Sequence, residues 1–212
     1  MMTNDTFIIA KDGFRCIAAS VALMIFLMVI DADFLTFISF LHVLATFWIY
    51  RNPERIAPYL QEESIVSVAD GVVKSIETIE VEEGVDLYKI TIKSGFLDTS
   101  VLRVPFTCNV QESATIHGAR LASSNPLASQ INEQGHIVFG EGKKMVSVLH
   151  TEHLASVGIK NRLASNTQVL QGMRYGLMVK GESSVTLPAS SRVAIKVGDT
   201  VRAGETPLGF FS

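Results

Sequence analysis

From Cys16 to Ile30 and from Phe34 to Tyr50 the chain carries no charged residue, and only Asp31-Ala32-Asp33 separates the two runs. Segments that are apolar on every side predict helices buried in protein or lipid, not surface helices with one apolar face. A straight helical crossing of a bilayer needs about 20 apolar residues. Each run alone is short of that, and the pair predicts a helical hairpin. Lys11 and Arg15 precede the first run, and Arg51 and Arg55 follow the second. The positive-inside tendency then places both ends in the cytoplasm of a cell (inner) membrane protein, with Trp48 and Tyr50 as an interfacial anchor. Full crossing and a dip from one leaflet are both open, and a hairpin buried in a soluble domain is the alternative. The second run, and the lack of a small-residue cleavage site, speak against a removed signal peptide.

After Pro58 the pattern changes. From Ser64 onward, short β-branched runs such as "SIVSV", "YKITIK", "HIVFG", "KMVSVLH" and "SSVTLP" alternate with Gly, Asn and Asp. Strands of this length with turn signals between them predict a mainly β domain, an antiparallel sandwich or partly open barrel. Only Glu152 to Thr167 has a helical start. The organisation expected is a membrane hairpin over residues 1–50, a linker over 51–63 and a β-domain over 64–212.

Composition narrows the partners. Among 212 residues the charged fraction is 18% and the net charge is −3, so the basic stripe that nucleic acid requires is missing. The mean hydropathy of +0.32 is explained by the two N-terminal runs. Cys16 and Cys108 have no metal-like spacing, and a reducing compartment suits them better than a disulfide. His150 and His153 form a His-x-x-His pattern without a third ligand, so no metal site is expected.

Several stretches, in order, carry a resemblance. They are "FWIYRNPERIAP" (Phe47 to Pro58), "SVADGVVKSIE" (Ser67 to Glu77), "SGFLDTSVLRVP" (Ser94 to Pro105), "LASQINEQGHIVF" (Leu127 to Phe139), "RYGLMVKGESSVTLP" (Arg174 to Pro188) and "IKVGDTVRAGETPLG" (Ile195 to Gly209). Together they resemble the phosphatidylserine decarboxylase family in its short prokaryotic, membrane-anchored form. The first and last β blocks also resemble the paired halves of biotinyl and lipoyl barrel-sandwich domains. Lys74 follows Val72-Val73 with no Met-Lys-Met setting, so a carrier role is not supported.

The resemblance implies a self-made cofactor. In that family a serine attacks the carbonyl of the glycine before it, and its remains become an N-terminal pyruvoyl group that serves as electron sink. A histidine oriented by a carboxylate supplies the base, by the logic of a Ser-His-Asp triad. On this chain the motif carboxylate is present as Asp70, but Ser100 stands at the histidine position. Gly181 is followed by Glu182 in place of the cleavage serine, and the segment to Pro188 is one residue shorter than the family pattern. A hydroxyl at position 100 cannot act as a base near neutrality. Glu182 has no route to a pyruvoyl group. Asp70 in Ala-Asp-Gly is also a good hairpin-turn residue. Arg103 is implied as a lipid-phosphate contact, with a surface ion pair as the alternative.

The expectation is therefore an unprocessed, catalytically inactive relative without a cofactor, acting as a lipid-binding or complex-subunit scaffold. Its partners would be a phospholipid membrane with serine or ethanolamine headgroups, and other subunits or further copies of itself. Two alternatives stand. One is an active pyruvoyl-dependent decarboxylase cleaved at Glu182–Ser183, with Ser183 or Ser184 as shifted nucleophile and a later histidine as base. The other is an accessory structural subunit of a membrane complex.

Overall fold

A computed structural model describes residues 8–55, 63–81, 85–154 and 156–212. The chain divides into two compact units, Met1–Glu54 and Arg55–Ser212. Most of the expected linker, residues 56–62, lies outside the described residues.

In the first unit, helix α1 (Gly13–Val29) packs against α2 (Asp33–Ile49). Asp31, at φ 56°, reverses the chain between them. Each helix has 17 residues, about 25 Å at 1.5 Å per residue, short of a bilayer core of about 30 Å. The hairpin predicted from the two runs is present. Among the described residues no helix is long and apolar enough to cross a membrane. Phe26, Met28, Phe34, Phe37 and Trp48 are all more than half exposed.

The second unit is β. Its strands are β1 (Ser64–Val66), β2 (Gly71–Val81), β3 (Val85–Ser94), β4 (Val101–Arg103), β5 (Cys108–Ile116), β6 (Gln134–Phe139) and β7 (Val146–Glu152). They continue as β8 (Lys160–Asn161), β9 (Gln168–Val169), β10 (Arg174–Leu177), β11 (Gly181–Pro188), β12 (Arg192–Val193), β13 (Thr200–Val201) and β14 (Pro207–Phe210). A four-residue helix, α3 (Ala128–Ile131), precedes β6. Eight strands form one open sheet in the order β13-β2-β3-β11-β7-β6-β5-β9, and two three-stranded sheets, β1-β14-β12 and β4-β10-β8, complete the unit. Every pair of named strands is antiparallel. The mainly antiparallel β prediction thus holds, whereas the described strands close no barrel. The two blocks likened to barrel-sandwich halves do meet, since β13 pairs with β2 through Thr200–Val72 and Val201–Gly71.

Strand alternation explains which residues reach the core. On β7, Val146, Val148, His150 and Glu152 are buried, and on β11, Gly181, Ser183, Val185 and Leu187 are buried. Successive side chains point to opposite faces, so a polar residue at core parity has to be carried into the interior. The helical start expected over Glu152 to Thr167 is not found: Glu152 ends β7 and Lys160–Asn161 is a strand. Buried carboxylates fix that loop instead. Glu152 accepts the Gly158 N–H at 2.9 Å and Glu133 accepts the Ile159 N–H at 3.0 Å. Gly158, at φ +98°, adopts a backbone conformation that suits glycine.

Candidate active site

Asp70 lies just before β2, at the end of a short bend rather than in the hairpin turn expected of Asp-Gly. Its carboxylate is held from three sides. Arg55 grips both oxygens, through Nη1 on Oδ1 and through Nη2 on Oδ2 at 2.6 Å. The Ala203 N–H donates to Oδ1 at 2.7 Å, and the Thr99 N–H approaches Oδ2 at 3.4 Å. The guanidinium also donates to the Ala203 carbonyl at 2.9 Å and the Thr99 hydroxyl at 3.1 Å. Burial by itself would raise the Asp70 carboxyl, but the bonds from Arg55 and Ala203 outweigh it and hold the group below the usual carboxylate range. This carboxylate is a fixed anion that ties residues 55, 99 and 203 together.

Ser100 is buried, and its carbonyl accepts the Met178 N–H at 2.9 Å. The surrounding segment is not a strand. Asp98 closes a turn by accepting the Gly95 N–H at 2.8 Å, and β4 begins only at Val101. Arg103 is buried as well, only 3% exposed, and donates to the Gly172 carbonyl at 3.0 Å, which removes the surface ion-pair reading.

Gly181 opens β11 in the middle of the large sheet. A Cβ built on it would lie 2.3 Å from the Thr151 carbonyl oxygen, so the close approach of β7 requires glycine here whatever happens to the following bond. Glu182 faces outward. It accepts from Lys74 Nζ at 2.7 Å and lies 3.8 Å from His153 Nε2. Ser183 faces inward, fully buried, and its hydroxyl meets His150 Nδ1 at 2.8 Å. The other ring nitrogen of His150 meets the Tyr175 hydroxyl at 2.6 Å. Burial pushes the His150 imidazole down to about 3 and the Tyr175 phenol up. The row Ser183–His150–Tyr175 is a neutral hydrogen-bonded chain in the core.

The geometry also bears on a pyruvoyl group. Its precursor must be a serine, and the residue after Gly181 has no hydroxyl. The one inward serine, Ser183, sits in a strand paired on both sides, to Ile92 of β3 and to His150 of β7. An imidazole held near 3 is a poor base, because accepting the serine proton would place an uncompensated cation in apolar surroundings. The side chains at the cleavage position therefore do not fit the group. His150 and His153 point to different places, the core and the outer cleft, and among the described residues no group of His, Cys, Asp and Glu could hold a metal ion.

The protein-family model described as phosphatidylserine decarboxylase matches residues 44–209. The chain belongs to the phosphatidylserine decarboxylase family. It is 32% identical to a phosphatidylserine decarboxylase proenzyme of Geobacter metallireducens, over 98% of this chain and 99% of the relative. A second such proenzyme, of Pelobacter propionicus, is 31% identical over 98% of the chain and 99% of its own length. A third, of Syntrophus aciditrophicus, is 29% identical over 99% and 100%. No solved structure gives a significant match.

The fold brings Gly181 beside Ser94, whose hydroxyl donates to the carbonyl of Asp70, the carboxylate that sequence reasoning singled out. That reasoning missed Arg55 as the partner of Asp70, although Arg55 closes the quoted Asn-Pro-Glu-Arg block. It weighed His150 only within the His-x-x-His pattern, and did not single out Tyr175. The available signal was parity: His150 continues the Val146, Val148 series in "KMVSVLH".

Proposed function

We propose that this member of the family remains one uncleaved chain, makes no pyruvoyl group, and serves as a membrane-associated lipid-binding or complex-subunit scaffold. The observation that carries this reading is Glu182. The side chain following Gly181 is a carboxylate paired to Lys74 on the outer face, with no hydroxyl to attack the Gly181 carbonyl. Ser100 at the histidine position supports it, since no imidazole stands there. The exposed apolar side chains of α1 and α2 favour attachment to a membrane, with the β-domain at the cytoplasmic face. In this role Asp70, Arg55 and Arg103 hold the framework, and partners are phospholipids, other subunits or further copies. Intact mass spectrometry of the purified protein should give a single species of 23.1 kDa. A C-terminal fragment with a blocked first residue would overturn the proposal.

A second reading is favoured by one contact, His150 Nδ1 to the Ser183 hydroxyl at 2.8 Å. In it the chain is an active decarboxylase cleaved at Glu182–Ser183. Ser183 Oγ would add to the Glu182 carbonyl carbon, its proton passing through His150 to the Ser183 nitrogen as the Glu182–Ser183 C–N bond breaks, and loss of the Ser183 Cα proton from the resulting ester would expel the Glu182 carboxylate and break the chain. The weak basicity of His150 and the double pairing of β11 weigh against it. The same mass spectrum decides between the two, because this reading requires a fragment that begins at position 183.

A further inference from the structure

Five neighbouring strands of the large sheet end along one line. Ser94 of β3 lies opposite Gly181 of β11, and Gly181 opposite Glu152 of β7. Thr151 lies opposite Gln134 of β6, and Gln134 opposite Ile116 of β5. The segments that leave the sheet beyond this line therefore share one rim. They carry large apolar side chains left exposed. Phe96 and Leu97 follow β3, Leu154 follows β7, Leu127 and Ile131 stand at the two ends of α3 before β6, and Ile116 ends β5. Leu97 is 78% exposed and the other five lie between 38% and 61%.

Ordered backbone holds these side chains out. Asp98 turns its carboxylate back onto the Gly95 N–H at 2.8 Å and shapes the turn that presents Phe96 and Leu97. The Leu154 N–H donates to the Leu121 carbonyl at 3.2 Å, and the Ile131 N–H to the Leu127 carbonyl at 3.0 Å. The His153 N–H ties the β7 end to the Lys180 carbonyl at 3.1 Å. Lys180 in turn carries its ammonium 5.0 Å from the centre of the Phe96 ring, a cation–π contact at the level of the apolar tips.

This pattern selects a lipid surface. The six side chains come from four separate segments at strand ends, and a bilayer asks for no matching shape. It asks for apolar tips that reach the boundary between headgroups and acyl chains, with a cation left among the phosphates, as Lys180 is beside Phe96. Each helix of the hairpin is shorter than the bilayer core, and surface attachment strengthens with the apolar area buried. A second apolar element thus adds to what the hairpin supplies. We propose that this rim is a membrane-contact surface of the β unit, with Phe96 and Leu97 entering a phospholipid bilayer and Leu154 beside them. The proposal rests on the membrane-associated reading above and names the residues of the β unit that make the contact.

The test uses tryptophan as a depth probe. Trp48 is the single tryptophan, so Trp48→Phe gives a silent background. Leu97→Trp, Leu154→Trp and Met145→Trp are added to it one at a time in the full chain. Met145 precedes the other end of β7, about 20 Å from Glu152 along the strand. Each variant is mixed with vesicles of phosphatidylcholine and phosphatidylglycerol, with or without bromine on the acyl chains. Probes at 97 and 154 should show blue-shifted emission and at least two-fold quenching by brominated lipid, and the probe at 145 should show neither. A chain that floats with the vesicles while either rim probe stays unquenched would overturn the rim and leave attachment by the hairpin standing. Equal quenching at 97 and 145 would overturn it too. A chain that does not float with the vesicles would overturn the rim together with the membrane-associated reading.

Discussion

Two buried polar clusters lie within the β unit, and they solve burial in opposite ways. At Asp70 a full negative charge is kept and answered by the Arg55 guanidinium, by the Ala203 N–H and more distantly by that of Thr99. At His150 no charge is kept, and a neutral imidazole bridges two hydroxyls. The first contains the family's motif carboxylate, yet its bonds are those of a structural tie. The second contains a serine–histidine contact of catalytic appearance, yet its surroundings strip the histidine of basicity. Residue type alone does not say which of the two clusters is ionised. What separates them is which protonation state the surroundings stabilise.

The largest effect should come from breaking the charged cluster. Asp70→Ala leaves Arg55 buried without its carboxylate, and removing one partner of a buried pair costs about 3–5 kcal/mol. Chemical denaturation in detergent should show that loss. The double substitution Asp70→Leu with Arg55→Met should recover most of it, because a well-packed apolar pair can replace a buried ion pair. A double variant as unstable as the single would mean that Asp70 acts through Thr99 and Ala203 more than through Arg55.

The neutral cluster should be exposed by acid. His150 is held near 3 in the folded chain against an unperturbed 6.5. The unfolded chain therefore binds the extra proton between those values, and stability falls as pH drops through that window. At pH 5 the loss relative to neutral pH is about 2 kcal/mol, at 1.36 kcal/mol per unit. His153, also lowered by burial, adds a slope of the same sign, and the raised Glu152 opposes it. Comparison with His150→Gln isolates the His150 share: the wild-type chain should lose stability from pH 7 to 5 and the variant should lose clearly less. Asp70, lowered by its partners, contributes only below the carboxylate range, so the clusters separate on the pH axis. Equal slopes in the two proteins would break the comparison.

The same contrast explains what could be read from the chain alone. The hairpin was legible because two charge-free runs flank an acidic turn, and the strands were legible because β-branched runs alternate with Gly, Asn and Asp. Asp70, Gly181 and Glu182 could be singled out because the stretches that carry them are local in sequence. Arg55 and Asp70, or His150 and Tyr175, are joined only by tertiary side-chain contacts, which no local pattern encodes. The helical start after Glu152 failed for a related reason. Tertiary bonds from Glu152 and Glu133 to the Gly158 and Ile159 amides override the local preference.

The smallest effect belongs to the pair that lies outside both clusters. Lys74 and Glu182 meet at 2.7 Å, closer than many buried partners, but the lysine side chain is 52% exposed. Water already solvates that ammonium, and holding a long side chain in one geometry costs entropy, so such a pair contributes about 0–1 kcal/mol. Lys74→Ala should therefore leave the denaturation midpoint almost unchanged, and added salt should not alter that result. A loss approaching that of Asp70→Ala would show that Glu182 anchors β11 as Asp70 anchors β2, and the distinction between a buried tie and a surface pair would fall.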